Sequence, residues 1–427
     1  PVIKVKNKTD ENEFFDVHSY NRWSVSKNKD DLNTYKIRYA KGLGSHLRND
    51  ILNFFRNINN YLKNIIVDEE TKEKINLLYS DKRADDRKKW ILKGNDTIMD
   101  YSKKEYIIKD MLQAEIHDYS SETLTRAIPN VFDGLKECQR KVLFSSFKKF
   151  KSNNNSEVKI SQLGSYAAEQ SMYLHGEKSI QDSITKMTQS FPGSNNLNIL
   201  SPEGQTGSRR GTSKGLGKDA SSVRYTFTKF MPFTQSIFKD IDTNLVTYRE
   251  EENVSIEPFY YMPVIPMVLV NGTNGIATGF RTEIPQFNPI EIIDKFLNKI
   301  KDDKCFNKLL PWYNGYKTNH LTTDESQWVF FGSYTVNENK CFVDELPIGI
   351  STEKYASNLN KLIENSNETG VLSYVECHPS ENEIGFEIKI DKKKFKPENL
   401  NLRSTIGMNC LYLLDRFGKI KNFKSIK

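Results

Sequence analysis

The sequence predicts an α+β protein of two or three domains. Its 427 residues are more than one hydrophobic core usually organises. Apolar residues recur with helical spacing in 51–65 and 135–150, whereas β-branched runs broken by Pro and Gly follow from about residue 256. Helical and strand-like segments are thus largely separate along the chain, which is typical of the α+β class.

The first domain is predicted to span residues 1–115. Short apolar strands are expected at 2–5 and 35–39, and a helix is expected over the apolar stripe at 51–65. Residues 67–104 are heavily charged and suit a linking helix.

The second domain, residues 116–258, has the order of elements of a winged helix. In 135–150 the apolar residues share one broad face and the basic residues lie toward the other, which predicts an amphipathic helix. Further helices are predicted at about 161–170 and 177–189, followed by strand-like segments at 197–200 and 222–227 around a glycine-rich loop. Helix, turn, helix and then strands is the winged-helix pattern.

The third domain, residues 259–427, is predicted to be α+β. Its β-branched segments are separated by Pro, Gly and Asn, which favour turns. Strands are expected at 327–332, 341–343, 371–377 and 385–390.

The amino-acid composition indicates which kind of partner and which cellular compartment to expect. The net charge of +7 and the pI near 8.8 favour a polyanionic partner. Five widely spaced cysteines without a Cys-x-x-Cys pair indicate a reducing compartment. The apolar stretch 260–270 contains two prolines and is far shorter than the roughly 20 residues of a spanning helix, so no membrane role is expected. Abundant Asn and Lys suggest an AT-rich genome, such as that of a protist or a large DNA virus.

One tyrosine stands out chemically. Tyr225 directly follows Arg224, downstream of a loop rich in glycine and basic residues. A phenol is a poor nucleophile at neutral pH because its reference pKa is about 10. A guanidinium beside it favours the phenolate and neutralises charge on a phosphate under attack. The loop resembles a nucleotide-binding Walker A motif, but it has one residue too many and Asp219 where a Ser or Thr belongs, so that interpretation is rejected.

Further blocks surround this tyrosine in a fixed order. They lie at residues 39–45, 80–90, 124–129, 132–143, 173–177, 256–272, 275–279 and 284–289. Together they strongly resemble the DNA-cleavage core of type IIA DNA topoisomerases, with the nearest match in the eukaryotic and large-DNA-virus topoisomerase II branch. The resemblance implies that 1–115 is the C-terminal part of a TOPRIM domain with linking helices, and that 259–427 is a tower domain.

The resemblance also implies a catalytic site. Tyr225 would attack a DNA phosphodiester and become linked to the 5′ end, with Arg224, Arg126 and His175 at the same phosphate. Such chemistry needs positive charge around the phosphorus. Ile276, flanked by small residues, would insert between base pairs and bend the duplex.

Eight basic residues are expected to bind the DNA backbone. They are Lys41 in the first domain, Lys136, Arg140 and Lys141 on the helix over 135–150, and Arg209, Arg210, Lys214 and Lys218 in the glycine-rich loop.

Cofactors and assembly follow from the resemblance as well. The family uses Mg²⁺ held by a glutamate and an Asp-x-Asp pair, which we expect upstream of Pro1, so no metal ligand is assigned within this chain. ATP would serve the parent protein. Two scissile phosphates and one tyrosine per chain require a homodimer on double-stranded DNA, and the expected location is the nucleus or a cytoplasmic site of viral replication.

Three alternatives stay open. One is a bacterial gyrase protein of the A type, although bacterial relatives carry TOPRIM on another chain. Another is a non-enzymatic DNA-binding or architectural module built on the winged helix. A tyrosine recombinase or rolling-circle nuclease ranks last, because the expected His clusters and arginine spacing are missing.

Overall fold

The computed structural model describes residues 1–40, 47–95, 97–152, 154–173, 175–251, 254–302, 309–318, 321–323, 326–380 and 382–423. Its mixture of helices and strands confirms the α+β class. The chain separates into two compact units, Pro1–Thr123 and Leu124–Lys427. Within the described ranges, no helix has the length and apolar character needed to cross a membrane.

The first unit is built from short elements. Its strands are β1 (Ile3–Lys6), β2 (Glu11–Phe14), β3 (Lys36–Tyr39), β4 (Asn64–Ile66) and β5 (Glu105–Ile107). Its helices are α1 (Val17–Val25), α2 (Lys29–Asn33), α3 (Arg48–Arg56), α4 (Ile58–Tyr61), α5 (Glu69–Tyr79), α6 (Ala84–Lys93) and α7 (Ile108–Met111). Strands β2, β1 and β3 form an antiparallel sheet in that order, and β4 pairs with β5 in parallel.

Two predictions for this unit have different outcomes. The strands expected at 2–5 and 35–39 are confirmed as β1 and β3. The helix expected over 51–65 is correct only in part, because α3 and α4 end at Tyr61 and residues 64–66 form β4. The β-branched pair Ile65 and Ile66 pairs with β5, so sheet formation overrides the helical spacing there.

The second unit contains the remaining elements, and α8 (His117–Ala127) crosses the division between the units. Its other helices are α9 (Glu137–Ser152), α10 (Ile160–Gln170), α11 (Glu177–Thr188), α12 (Thr234–Ile237), α13 (Met267–Val270), α14 (Pro289–Asp302), α15 (Thr352–Glu364) and α16 (Ser366–Thr369). Its first strands are β6 (Val158–Lys159), β7 (Phe227–Thr228), β8 (Tyr248–Glu251), β9 (Val254–Pro258), β10 (Thr273–Ala277), β11 (Phe280–Ile284) and β12 (Leu321–Thr323). Its later strands are β13 (Gln327–Phe331), β14 (Ser333–Asn337), β15 (Lys340–Glu345), β16 (Val371–Glu376), β17 (Phe386–Ile390), β18 (Arg403–Gly407), β19 (Tyr412–Leu414) and β20 (Ile420–Asn422).

Helices α9, α10 and α11 confirm the three helices predicted in the middle of the chain. Their apolar faces meet in one core, where Val142, Ile160 and Ile184 are fully buried. The strand-like segments predicted at 197–200 and 222–227 form less regular structure than expected. Only the two-residue β7 pairs with β6, and isolated bridges join Leu200 to Phe230 and Glu203 to Phe227.

The same core continues through β11, β13 and β19, so the hydrophobic interior does not divide at residue 258. A second core lies under the sheet β14-β15-β17-β16, where α15 packs against it. Strands β13, β15, β16 and β17 confirm the four strands predicted for this part of the chain. Buried Tyr355 and Leu359 of α15 and Phe386 of β17 lie at the centre of this second core.

Candidate nucleic-acid cleavage site

Tyr225 lies on the surface, two residues before β7 begins. Its side chain is 71% exposed. The guanidinium carbon of Arg224 lies 5.8 Å from the centre of the Tyr225 ring. The backbone at this point is fixed, since Tyr225 N–H donates to the Ser222 carbonyl at 2.8 Å and Ile160 N–H donates to the Thr226 carbonyl at 3.0 Å. A phenol is therefore presented to solvent, beside a permanent positive charge, from an ordered segment.

The glycine-rich loop that leads to Tyr225 is folded around one side chain. Gln189, the residue that caps the C-terminus of α11, donates through Nε2 to the carbonyls of Thr206 at 2.9 Å and Gly217 at 3.1 Å. Gly207 and Gly217 both have positive φ, and a Cβ on either would collide with the Gln189 amide. The loop is thus closed by specific contacts.

The outer side of this loop is attached to the second core. Arg209 is 3% exposed and forms an ion pair with the fully buried Glu345. Ser351 and Thr352, at the start of α15, donate to the carbonyls of Thr212 and Arg210, each at 3.2 Å. Arg209 therefore anchors the loop. Its predicted role in DNA binding is corrected, because a buried guanidinium paired with a carboxylate has no surface to offer a phosphate.

Arg126 and His175 are brought together, as expected. Arg126 Nη1 lies 3.2 Å from His175 Nε2, and the Tyr173 ring packs edge-on against the imidazole with centroids 5.4 Å apart. A guanidinium has only donors, so His175 Nε2 is the acceptor in this contact. Partial burial raises the pKa of the Tyr173 phenol. His175 itself is exposed.

Ile276 lies on the hairpin of β10 and β11. Its side chain is 74% exposed, whereas its neighbour Gly275 is buried on the opposite face of the strand. A Cβ on Gly275 would collide with the carbonyl oxygen of Ala127, so only glycine permits this approach. The contact holds the hairpin against the end of α8, directly beside Arg126. Exposed Ile276 and half-buried Arg126 are therefore carried by segments whose backbones are in direct contact.

Lys136 supports this hairpin. Its ammonium donates to the Asn274 carbonyl at 2.6 Å, and its backbone N–H donates to Gln139 Oε1 at 2.9 Å. Burial, and secondarily the charge of Lys186, lower the pKa of Lys136. Lys136 is only half-buried, so a backbone phosphate is not sterically excluded from it.

Arg140 and Lys141 require the same correction as Arg209. Arg140 is 5% exposed and forms a two-point ion pair with Asp133, at 2.7 and 3.1 Å. Lys141 is 3% exposed and its ammonium lies 2.9 Å from a carboxylate oxygen of Glu257. Both side chains stabilise the interior, so we remove them from the residues expected to bind DNA.

The remaining basic residues of the prediction lie on the surface or outside the described ranges. Arg210, Lys214 and Lys218 are exposed on the glycine-rich loop. Lys41 falls outside the described residues.

In the part of the chain that the structure describes, no three His, Cys, Asp or Glu side chains converge to hold an ion. The side chains described here therefore do not fit the Mg²⁺ that the resemblance implies, and no chemical step is derived through it.

Sequence reasoning missed Gln189 and Glu345, which position the glycine-rich loop. A signal for Gln189 existed, because a loop with many glycines has backbone carbonyls that need partners when buried. No local pattern marks Glu345, since its partner Arg209 lies 136 residues away.

Two family models match the chain with little interruption. The model for the A-type subunits of DNA gyrase/topoisomerase IV matches residues 126–427. The model for the C-terminal associated domain of TOPRIM matches residues 1–124.

Full-length relatives and one solved structure agree with these models. DNA topoisomerase 2, mitochondrial, of Dictyostelium discoideum is 37% identical over 93% of this chain and 30% of its own length. DNA topoisomerase 2 of Plasmodium falciparum is 35% identical over 100% of this chain and 30% of its own length. The crystal structure of the Plasmodium falciparum topoisomerase II DNA-binding, cleavage and re-ligation domain superposes with a TM-score of 0.81 at 34% identity, covering 100% of this chain and 58% of that one. The chain thus spans about 30% of the length of these curated relatives. Both family models, these eukaryotic relatives and the shared fold lead to one conclusion: the chain belongs to the type IIA DNA topoisomerases.

Proposed function

We propose that this chain is the DNA-binding and cleavage core of an ATP-dependent type IIA DNA topoisomerase, which cuts both strands of a duplex, allows strand passage and reseals the break. The observation that carries the proposal is Tyr225, 71% exposed with the Arg224 guanidinium 5.8 Å from its ring. The similarity to a domain named for DNA binding, cleavage and re-ligation supports it.

The chemistry is a transesterification. The Tyr225 oxygen forms a bond to phosphorus while the bond from phosphorus to the 3′ oxygen breaks, and the phenolic proton is given up as the 3′ hydroxyl gains one. One phosphate ester replaces another, so the bond energy is conserved and the reverse reaction reseals the strand. Arg224 and Arg126 would neutralise charge on the phosphoryl oxygens, and His175 would donate a hydrogen bond.

The exposed basic residues of the loop would hold the DNA backbone. Arg210, Lys214 and Lys218 project from a loop whose backbone is fixed by Gln189 and by the start of α15. A pre-organised loop loses little conformational entropy on binding, which favours affinity.

Replacing Arg210, Lys214 and Lys218 together with Gln is expected to weaken duplex binding uniformly across sequences. A plot of log affinity against log salt concentration falls with a slope whose magnitude is about 0.9 per phosphate contact. Loss of three contacts should therefore make the slope of the triple variant shallower by roughly two to three. Fluorescence anisotropy titrations at several salt concentrations measure this slope. The buried Arg209 is left intact so that the loop stays anchored, and an unchanged slope would remove these residues from the interface.

Ile276→Ala is expected to reduce DNA bending and cleavage while leaving the fold intact. Unstacking a base step costs a few kcal/mol, and an alanine side chain is too short to insert between the base pairs and hold them apart. Fluorescence transfer between dyes at the duplex ends reports the bend. Leu310→Ala, which also truncates a half-exposed aliphatic side chain, is the matched control, and an equal bend in the Ile276 variant and the wild type would refute the proposed insertion.

We assign the finer architecture and assembly in the same proposal. Residues 116–258 would be a winged-helix domain, 1–115 the C-terminal part of TOPRIM with linking helices, and 259–427 a tower domain. The working form would be a homodimer on double-stranded DNA in the nucleus or at a viral replication site, using ATP and Mg²⁺ bound by residues other than those described here.

The direct test is to identify the covalent product in the complete natural protein. After denaturant trapping on end-labelled duplex and digestion of the DNA, mass spectrometry should find a nucleotide on the peptide that contains Tyr225, with the 5′ end blocked and the 3′ end free. DNA binding without any trapped adduct would favour the alternative of a non-enzymatic architectural module. Adduct on a different tyrosine would overturn the proposed site.

A further inference from the structure

Asp219 is a carboxylate in a loop that is otherwise rich in cations. It directly follows Lys218 and lies six residues before Tyr225. A negative charge here repels DNA phosphates, so it works against the binding proposed for Arg210 and Lys214. The rejected Walker A interpretation gives Asp219 no function, because a Ser or Thr belongs at this position of that motif. Its contacts in the structure indicate another reason for a carboxylate here.

Both oxygens of Asp219 bind one residue on the opposite side of the loop. Ser208 N–H donates to Asp219 Oδ1 at 2.9 Å, and the Ser208 hydroxyl donates to Asp219 Oδ2. The Ser208 carbonyl accepts the Gly217 N–H at 2.9 Å. Hydrogen bonds to an ionised carboxylate are roughly twice as strong as those between neutral groups. Asp219 and Ser208 therefore hold the two sides of the loop together.

The two sides of the loop form an irregular antiparallel ribbon. Phe227 N–H donates to the Glu203 carbonyl at 2.9 Å, and Ser221 N–H donates to the Gln205 carbonyl at 3.0 Å. Beyond these two pairings the ribbon reaches Ser208, where the carboxylate binds. The contact with Ser208 thus extends a series of pairings that begins beside the candidate nucleophile.

Tyr225 lies in a bulge of this ribbon. Five residues, 222–226, lie between the two pairings on one side, opposite Gly204 alone on the other. A bulge redirects the side chains that it carries, and bulges are frequent beside active sites. Tyr225 is exposed whereas Thr226 is 1% exposed, so a shift of one residue would exchange the positions of these two side chains. The pairings on either side of the bulge therefore fix the direction of Tyr225.

The register of this ribbon needs a specific contact. Glycine-rich strands specify register weakly, because they offer few side chains that pack on one face. Asp219 binds both the N–H and the hydroxyl of Ser208. A slip of one residue would place Gly207 or Arg209 opposite Asp219, and neither has a hydroxyl. The contact can therefore form in one register only.

We propose that Asp219 is a positioning residue for DNA cleavage, which fixes the register of the ribbon and thereby the direction in which Tyr225 is presented. The inference rests on the proposed function, in which Tyr225 is the nucleophile. Asp219 acts through Ser208 and touches neither DNA nor a metal ion in this role. Arg209 and Gln189 bind the loop independently of Asp219, so the loop should stay folded and bind DNA when the contact is lost.

The test uses two substitutions that remove the same charge from Asp219. Asp219→Asn keeps an oxygen that can accept the Ser208 N–H and gains an amide that can donate to the Ser208 hydroxyl, whereas Asp219→Ala removes both acceptors. In the complete natural protein with saturating duplex, Asp219→Ala should form trapped adduct at least about tenfold more slowly, because two charge-assisted hydrogen bonds are lost. Asp219→Asn should stay within about threefold of the wild type. Ser208→Ala, which removes only the hydroxyl, should be slowed by less than Asp219→Ala.

Anisotropy with the same duplex separates alignment from binding. Both Asp219 variants should bind at least as tightly as the wild type, because each lacks a negative charge near the phosphates. Equally slow cleavage by both would overturn the proposal, since the charge itself would then be required, as in a metal ligand. Wild-type rates in both, or loss of duplex affinity in Asp219→Ala, would overturn it as well. Those outcomes leave the cleavage assignment intact, whereas a wild type that forms no adduct would refute that assignment and this inference together.

Discussion

Tyr225→Phe is expected to abolish covalent attachment to DNA while leaving duplex affinity and stability almost unchanged. The substitution removes one oxygen from a side chain that is 71% exposed, so little packing is lost. That oxygen is the proposed nucleophile, and deleting an enzyme nucleophile commonly lowers the rate by more than about 10³-fold. Denaturant-trapped, protein-linked DNA in the complete natural protein is the measurement, and anisotropy with the same duplex provides the affinity.

The matched control is Tyr334→Phe, which removes the hydroxyl of another exposed tyrosine, on β14. It should trap as much DNA as the wild type. Linked DNA that persists in the Tyr225 variant would show that another residue is the nucleophile. A Tyr225 variant that no longer binds DNA would mean that the hydroxyl acts in binding.

The sequence alone was sufficient to predict the positions of the three helices that support the site. Helices α9, α10 and α11 begin and end within two residues of their predicted bounds, because each carries an apolar stripe with helical spacing and is followed by residues that favour turns. The exposed positions of Tyr225 and Ile276 also agree with the roles predicted for them.

The errors at Arg140 and Lys141 both arise from buried carboxylates, one close in the sequence and one distant. Arg140 and Lys141 lie toward the polar side of α9 in a helical projection, which suggested a surface for DNA. In the structure Arg140 meets Asp133, and Lys141 meets Glu257, which comes from β9 more than one hundred residues away. A helical projection shows which residues share a face, but it cannot show that a distant strand supplies a buried carboxylate to that face.

The same limit applies to the glycine-rich loop. Gly207 and Gly217 are needed there because the Gln189 amide occupies the space that a side chain would fill. Glycine frequency predicts conformational freedom only where nothing packs against the loop. The loop is held by Gln189, which lies 28 residues from its partner Gly217, and by Glu345, which lies 136 residues from Arg209.

Arg140→Met is therefore expected to destabilise the second unit without a direct loss of DNA contacts. Asp133 is fully buried and would keep two backbone donors, the N–H groups of Leu135 at 2.9 Å and Tyr261 at 3.0 Å. It would lose its only described counter-ion, and removing one partner of a buried ion pair costs about 3–5 kcal/mol. Urea unfolding, together with hydrogen exchange of the α9 amides, should show this loss.

Arg210→Met is the matched control, because it removes the same guanidinium from the surface rather than from the interior. Arg210 is exposed, so its replacement should change stability by less than about 0.5 kcal/mol and should weaken DNA binding in a salt-dependent manner. Arg140→Met should show the reverse, with lower stability but the same salt slope for the fraction that remains folded. Arg140→Met could instead keep full stability and lose salt-dependent affinity for DNA. The Arg140 guanidinium would then have to reach DNA in solution, and the prediction that Arg140 binds the DNA backbone would be restored.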